Sequence, residues 1–68
     1  MNKKHEVLFP NLVSEMARRG ENQKTLASLL GVTSATISRK LAGKIDWSIG
    51  EIDIICEHYK KDYYQLFK

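Results

Sequence analysis

Apolar positions recur at helical spacing along the chain, and glycines and capping residues cut the pattern into five pieces. Leu8, Phe9, Leu12, Val13, Met16 and Ala17 predict a first helix over about Pro10–Arg19, with the proline suited to its first turn and Gly20 as its stop. Asn22 is a favourable N-cap for a short second helix carrying Leu26, Ala27, Leu29 and Leu30 and closed by Gly31. Thr33 caps a third helix, about 33–42, with Val32 and Ile37 at the positions of a hydrophobic staple. Ile37 and Leu41 share its inward face, and Gly43 ends it. Ser48 and Glu51 form a capping box at the start of a fourth helix, with Trp47 and Ile52 as its staple. Ile49, Ile52, Ile55, Cys56 and Tyr59 follow as one apolar stripe. Asp62 can cap a last turn bearing Tyr63, Tyr64, Leu66 and Phe67. No segment alternates at period two, so the pattern predicts an all-α, compact five-helix domain without a sheet. Residues 1–8 read as a flexible N-terminal tail and 9–68 as a single domain.

Size narrows the functions open to such a domain. A chain of 68 residues, 43% of them hydrophobic, supports one core and leaves no room for a deep enzyme pocket beside it. Its single cysteine, Cys56, rules out an internal disulfide, so stability must come from packed helices or from pairing of chains. The apolar runs are too short to span a membrane, and Met1 to Glu6 lack the apolar stretch of a signal peptide, so the expected location is the cytoplasm.

Charge is modest in sum but segregated in sequence. The net charge is +3. Between Asn22 and Ile45 lie Lys24, Arg39, Lys40 and Lys44 with no acid, whereas Asp46, Glu51, Asp53 and Glu57 follow without a Lys or Arg. A cationic segment backed by an anionic one suits a polyphosphate partner approached from one side. Catalytic and metal patterns are absent. Cys56 and His58 lack further ligands at usable spacing, His5 being in the tail, and Cys56 falls on the apolar stripe as core filler. No nucleophile elbow, phosphate loop or paired carboxylates accompany them, so neither an enzyme, a metal nor a cofactor is expected.

Two short helices joined through Leu30-Gly31-Val32-Thr33 have the sequence form of a helix-turn-helix. Gly31 supplies the positive φ of the turn, Ala27 is small where the helices cross, and Leu26, Leu30, Val32 and Ile37 fill the angle between them. Taken in register, Gln23, Leu26, Ala27, Leu30, Gly31, Val32, Thr33, Thr36, Ile37, Ser38 and Arg39 resemble the helix-turn-helix of the phage Cro and C-repressor type, also called XRE-like. The resemblance runs from about Phe9 to Phe67 and is most specific from Gln23 to Gly43. It implies the lambda-repressor-like fold and a small bacterial or phage-derived transcriptional regulator, usually a repressor, that binds double-stranded operator DNA as a homodimer. In that family the second helix of the motif enters the major groove, and half-sites lie about one turn, ~34 Å, apart.

Carried over position by position, the resemblance makes Ser34, Ala35, Ser38 and Arg39 the base-facing residues. Arg39 alone has a bidentate preference, for guanine O6 and N7. It makes Asn22, Gln23, Thr36, Lys40 and Lys44 the candidates for phosphate contact, Gln23 with help from free amides at its helix N-terminus. The chain also departs from the family pattern. Met16 and Leu41 stand where many relatives pair an arginine with a glutamate, which predicts apolar packing there, and Lys40 replaces a common tryptophan. Ile54 projects about 150° from the stripe of the fourth helix. With Tyr63, Tyr64 and Phe67 it forms the expected dimer contact. A second class of function, a protein-interaction module such as an antitoxin or assembly adaptor, fits the same fold and predicts little salt dependence of binding.

Overall fold

The computed structural model describes residues 8–68, which form five helices and no strand: α1 (Pro10–Arg18), α2 (Gln23–Leu30), α3 (Ser34–Leu41), α4 (Ile49–Tyr59) and α5 (Tyr63–Phe67). The five-helix expectation holds. The expected tail lies outside the described residues except for Leu8, and so does His5.

Local signals account for where each helix starts. Asn22, Thr33, Ser48 and Asp62 each accept hydrogen bonds from backbone N–H groups of the first turn they cap. At Asn22, Ser48 and Asp62 the bond is reciprocated by the third residue of the helix, completing a capping box. α1 has no side-chain cap and relies on Pro10 at its first position.

Packing then closes the chain on itself: α2 lies against α3 and α4, and α5 lies against α4 and α1. Leu12, Met16, Leu26, Ala27, Ile37, Ile55, Tyr59, Leu66 and Phe67 form the core. Phe9, Leu29, Leu30, Val32, Leu41, Trp47, Ile52 and Cys56 pack around it. Met16 and Leu41 are thus both on the apolar side of the fold. Phe9, Trp47 and Phe67 meet edge to face at centroid distances of 5.7 to 6.2 Å, which joins the entry to α1, the α3–α4 connection and α5.

Three sequence expectations change here. Phe67, assigned to a dimer contact, is 8% exposed and belongs to the aromatic core. Ile49, assigned to the buried stripe, is 79% exposed, because the first residue of α4 precedes the turn that faces the core. Leu8, before α1, and Val13 and Ala17 on it are exposed, and the inward place falls to Glu15, only 4% exposed. Its carboxylate accepts from Arg18 Nη2 at 2.7 Å and Arg19 Nε at 2.8 Å. Arg19 also donates from Nη2 to the Tyr59 carbonyl at 3.1 Å and lies over that ring. A buried carboxylate is tolerable when paired and hydrogen-bonded in this way.

Candidate nucleic-acid interface

The α2–α3 unit is fixed by its turn. Gly31 adopts φ 72°, ψ 34°, and Val32 N–H donates back to the Ala27 carbonyl at 3.0 Å, closing α2 where a left-handed residue is required. Thr33 Oγ1 accepts from Thr36 N–H at 3.2 Å and sits 3.1 Å from the Thr36 hydroxyl. Leu26, Ala27 and Ile37 fill the angle between the helices from below.

That arrangement decides which residues of α3 look outward. Ala35, Ser38 and Arg39 are exposed and share one face at helical spacing, with Ser34 half-buried at its edge. Thr36 is half-buried and its hydroxyl is engaged by Thr33. Past the helix, Gly43 at φ 80° allows paired return bonds, from Gly43 N–H to the Lys40 carbonyl at 3.1 Å and from Lys44 N–H to the Arg39 carbonyl at 2.9 Å. The second bond ties the backbone of the exposed Lys44 to that of Arg39.

At the start of α2, Asn22 Oδ1 accepts from Lys24 N–H at 3.0 Å and Thr25 N–H at 3.4 Å. Capping therefore uses the oxygen of Asn22 and leaves its amide N–H groups to donate. Gln23 and Lys24 beside it are exposed.

One candidate is overturned. Lys40, expected to reach a phosphate, is 6% exposed. Its Nζ lies 2.9 Å from Glu51 Oε1, donates to the Asp46 carbonyl at 2.9 Å and sits 5.7 Å from the centre of the Trp47 ring. It points into the fold because it falls one residue before Leu41 and three after Ile37, on the inward side of α3. The i, i+3 relation to Ile37 was visible in the sequence; the carboxylate waiting across the α3–α4 connection was not. The cationic stretch thus keeps three outward charges, Lys24, Arg39 and Lys44, and none of them joins an ion pair among the described residues. Arg18 and Arg19, by contrast, are tied to Glu15.

Of the residues expected to pair chains, Phe67 lies in the core while Ile54, Tyr63 and Tyr64 are exposed. Ile54, half exposed, lines a shallow groove with Leu29, Asp53, Glu57 and His58. Tyr63 stacks on Phe67 and Tyr64 is 72% exposed beside it. Cys56 packs against the core, where burial pushes its thiol pKa up.

Among the described residues no helix is long and apolar enough to cross a membrane. No curated protein and no solved structure matches the chain. The family profile of the Cro/C1-type HTH DNA-binding domain, however, matches residues 11–67, from α1 to the end of α5. With the capped α2–Gly31–α3 unit inside that span, the chain belongs to the Cro/C1-type HTH DNA-binding domain family.

Proposed function

We propose that this DNA-binding domain is a sequence-specific transcriptional regulator, without catalytic activity, that represses by occupying its operator. α3 enters the major groove, where Arg39 reads guanine and Ser34, Ala35 and Ser38 meet neighbouring base edges. Asn22, Gln23, Thr36 and Lys44 hold phosphates on either side, joined by Lys24. The observation that carries this reading is the outward strip of α3, with an exposed Arg39 that joins no ion pair among the described residues and whose carbonyl accepts from the backbone N–H of the exposed Lys44.

Two copies bind together in the proposal, each reading a half-site. Their contact uses Ile54 or the exposed Tyr63–Tyr64 pair, with Ile49 as an added apolar candidate and Phe67 withdrawn to the core. A folded chain that sediments as a monomer both free and on a two-half-site duplex would remove this part.

The reading is tested by fluorescence anisotropy on random and selected duplexes over a range of salt. Binding should weaken with a log–log slope of about −0.9 per phosphate contacted, and Lys44→Ala should reduce that slope by about one contact for every sequence. Arg39→Ala should instead erase a preference worth ~1–3 kcal/mol. A folded protein that binds no duplex even at low salt would turn the assignment toward a protein-interaction module.

A further inference from the structure

α3 is supported unevenly. It packs along α2, and along no other helix to a comparable extent. Ile37 anchors its middle and the half-buried Leu41 its inner edge, while the last turn, which carries Arg39, runs on toward the α3–α4 connection. The polar link from this turn to the rest of the fold is Lys40. Its ammonium joins the Asp46 carbonyl in the connection to the Glu51 carboxylate in the first turn of α4, each at 2.9 Å. Glu51 is itself held, since Oε1 accepts from Ser48 N–H at 3.0 Å within the capping box that starts α4. Trp47 covers the assembly from the side.

Adjacent residues on a helix are separated by about 100° of rotation. Anchoring Lys40 inward at a fixed carboxylate therefore fixes the direction in which Arg39 points outward. Stability alone is a weak reason for such a link, because a buried ion pair exchanged for apolar packing is often neutral or better. Bidentate reading of a base, in contrast, tolerates little misorientation of the side chain that performs it.

We propose that Lys40 is a positioning residue for DNA recognition: it touches no DNA, and through Glu51 and the Asp46 carbonyl it sets the orientation of α3 from which Arg39 selects its base. The inference rests on the DNA-reading role assigned to α3. It separates two contributions of neighbouring cations, with Lys44 supplying charge toward phosphate and Lys40 supplying geometry.

The test compares the wild-type chain, Lys40→Met and Glu51→Gln, each confirmed folded by circular dichroism, on a selected duplex and a random duplex across a salt series. Methionine keeps the apolar stem against Trp47, and glutamine keeps the capping box, which accepts either Glu or Gln. Positioning predicts that Lys40→Met lowers the selected-to-random affinity ratio by about tenfold while the salt slope stays at its wild-type value. Glu51→Gln should lower the same ratio, and the double variant should be no worse than Lys40→Met alone, since the two residues act as one link. A uniform loss on both duplexes, with the slope reduced by about 0.9, would instead make Lys40 a direct phosphate ligand. In that case Glu51→Gln, which removes a competing anion, would tighten binding rather than weaken selection. Wild-type selectivity in all three variants would overturn the proposal as well. Should Lys40→Met fail to fold, the sign of the Glu51→Gln effect decides. Absence of any duplex binding by the wild-type chain would be a different failure, that of the DNA-reading role itself.

Discussion

The Tyr59 hydroxyl donates a 2.7 Å hydrogen bond to Glu21 Oε1, tying the end of α4 to the α1–α2 connection. His58 Nε2 lies 3.2 Å from the other carboxylate oxygen. The bond from Tyr59 holds the Glu21 carboxyl below its ordinary pKa, while burial and the adjacent Glu21 raise that of the phenol. Both shifts keep the proton on the tyrosine. Tyr59 is 1% exposed, so Tyr59→Phe removes a charge-assisted bond and little else. The half-exposed carboxylate can recover some hydration, so the expected loss is about 1.5 kcal/mol, at the low end for such bonds. In a domain of this size that lowers Tm by roughly 6–12 °C. Thermal melts should show it, and an unchanged Tm would mean the bond contributes nothing net.

Acid should unfold the domain through Glu15. Hydrogen bonds from Arg18 and then Arg19 lower its carboxyl from 4.5 to about 2. A folded-state value below the unfolded one adds stability above the unfolded pKa, and that stability is lost as pH falls from about 4.5 toward 2. Glu21 and Glu51 are shifted in the same direction, by Tyr59 and by the Ser48 backbone respectively. Tm should therefore hold near neutral pH and decline through that acid window. Glu15→Gln should lower Tm at neutral pH yet flatten the decline, and an equally steep acid dependence in the variant would contradict the assignment.

Two glycines should differ in how they resist alanine. Gly31 and Gly43 both have positive φ, so each substitution carries a backbone strain of ~1–2 kcal/mol. A Cβ on Gly31 would meet nothing within 4 Å, whereas one on Gly43 would lie 2.5 Å from Leu8 Cδ1. Gly43→Ala is expected to be only slightly the more destabilising of the two in denaturant titrations, since the Leu8 methyl it meets ends an exposed side chain that can swing aside. It should also weaken DNA binding by disturbing the return bond that holds Lys44.

Lys60 offers the opposite experiment. It is the non-glycine residue with positive φ among those described, at 57°, where it closes α4. Lys60→Gly relieves left-handed strain but loosens the unfolded chain, leaving a net gain of about 0.5–1 kcal/mol. The ion pair it forfeits, with Glu57 at 2.9 Å, is exposed on both sides and contributes little. A lower Tm would show that this pair matters more than the backbone does.

What could be read in advance was whatever local chemistry decides. Asn22, Thr33, Ser48 and Asp62 announce helix starts through atoms within three residues of themselves, and Gly31 announces the turn through its own φ. A residue whose role depends on a distant partner carries no such local signal. Lys40 resembles any cation on an exposed face until Glu51 is brought opposite it. Phe67 looks like surplus apolar surface until Phe9 and Trp47 meet it. Glu15 left a trace in its spacing to Arg18 and Arg19, the i, i+3 and i, i+4 relation of helical ion pairs, though not of its burial. Ile49 failed for a different reason, because a helical stripe extrapolated to its first residue runs past the point where the core ends.

The packing of α1 on α5 has a consequence for how the domain comes into being. Leu12 and Met16 emerge early in translation, but Leu66 and Phe67, which complete the same core, are made some fifty residues later. A ribosome-bound chain lacking α5 presents an open apolar seam, and the domain folds as a unit only after that helix is released. Newly made molecules are therefore open to proteases and chaperones until α5 docks, and the appearance of binding activity is timed by that helix rather than by α2 and α3, the elements proposed to meet DNA.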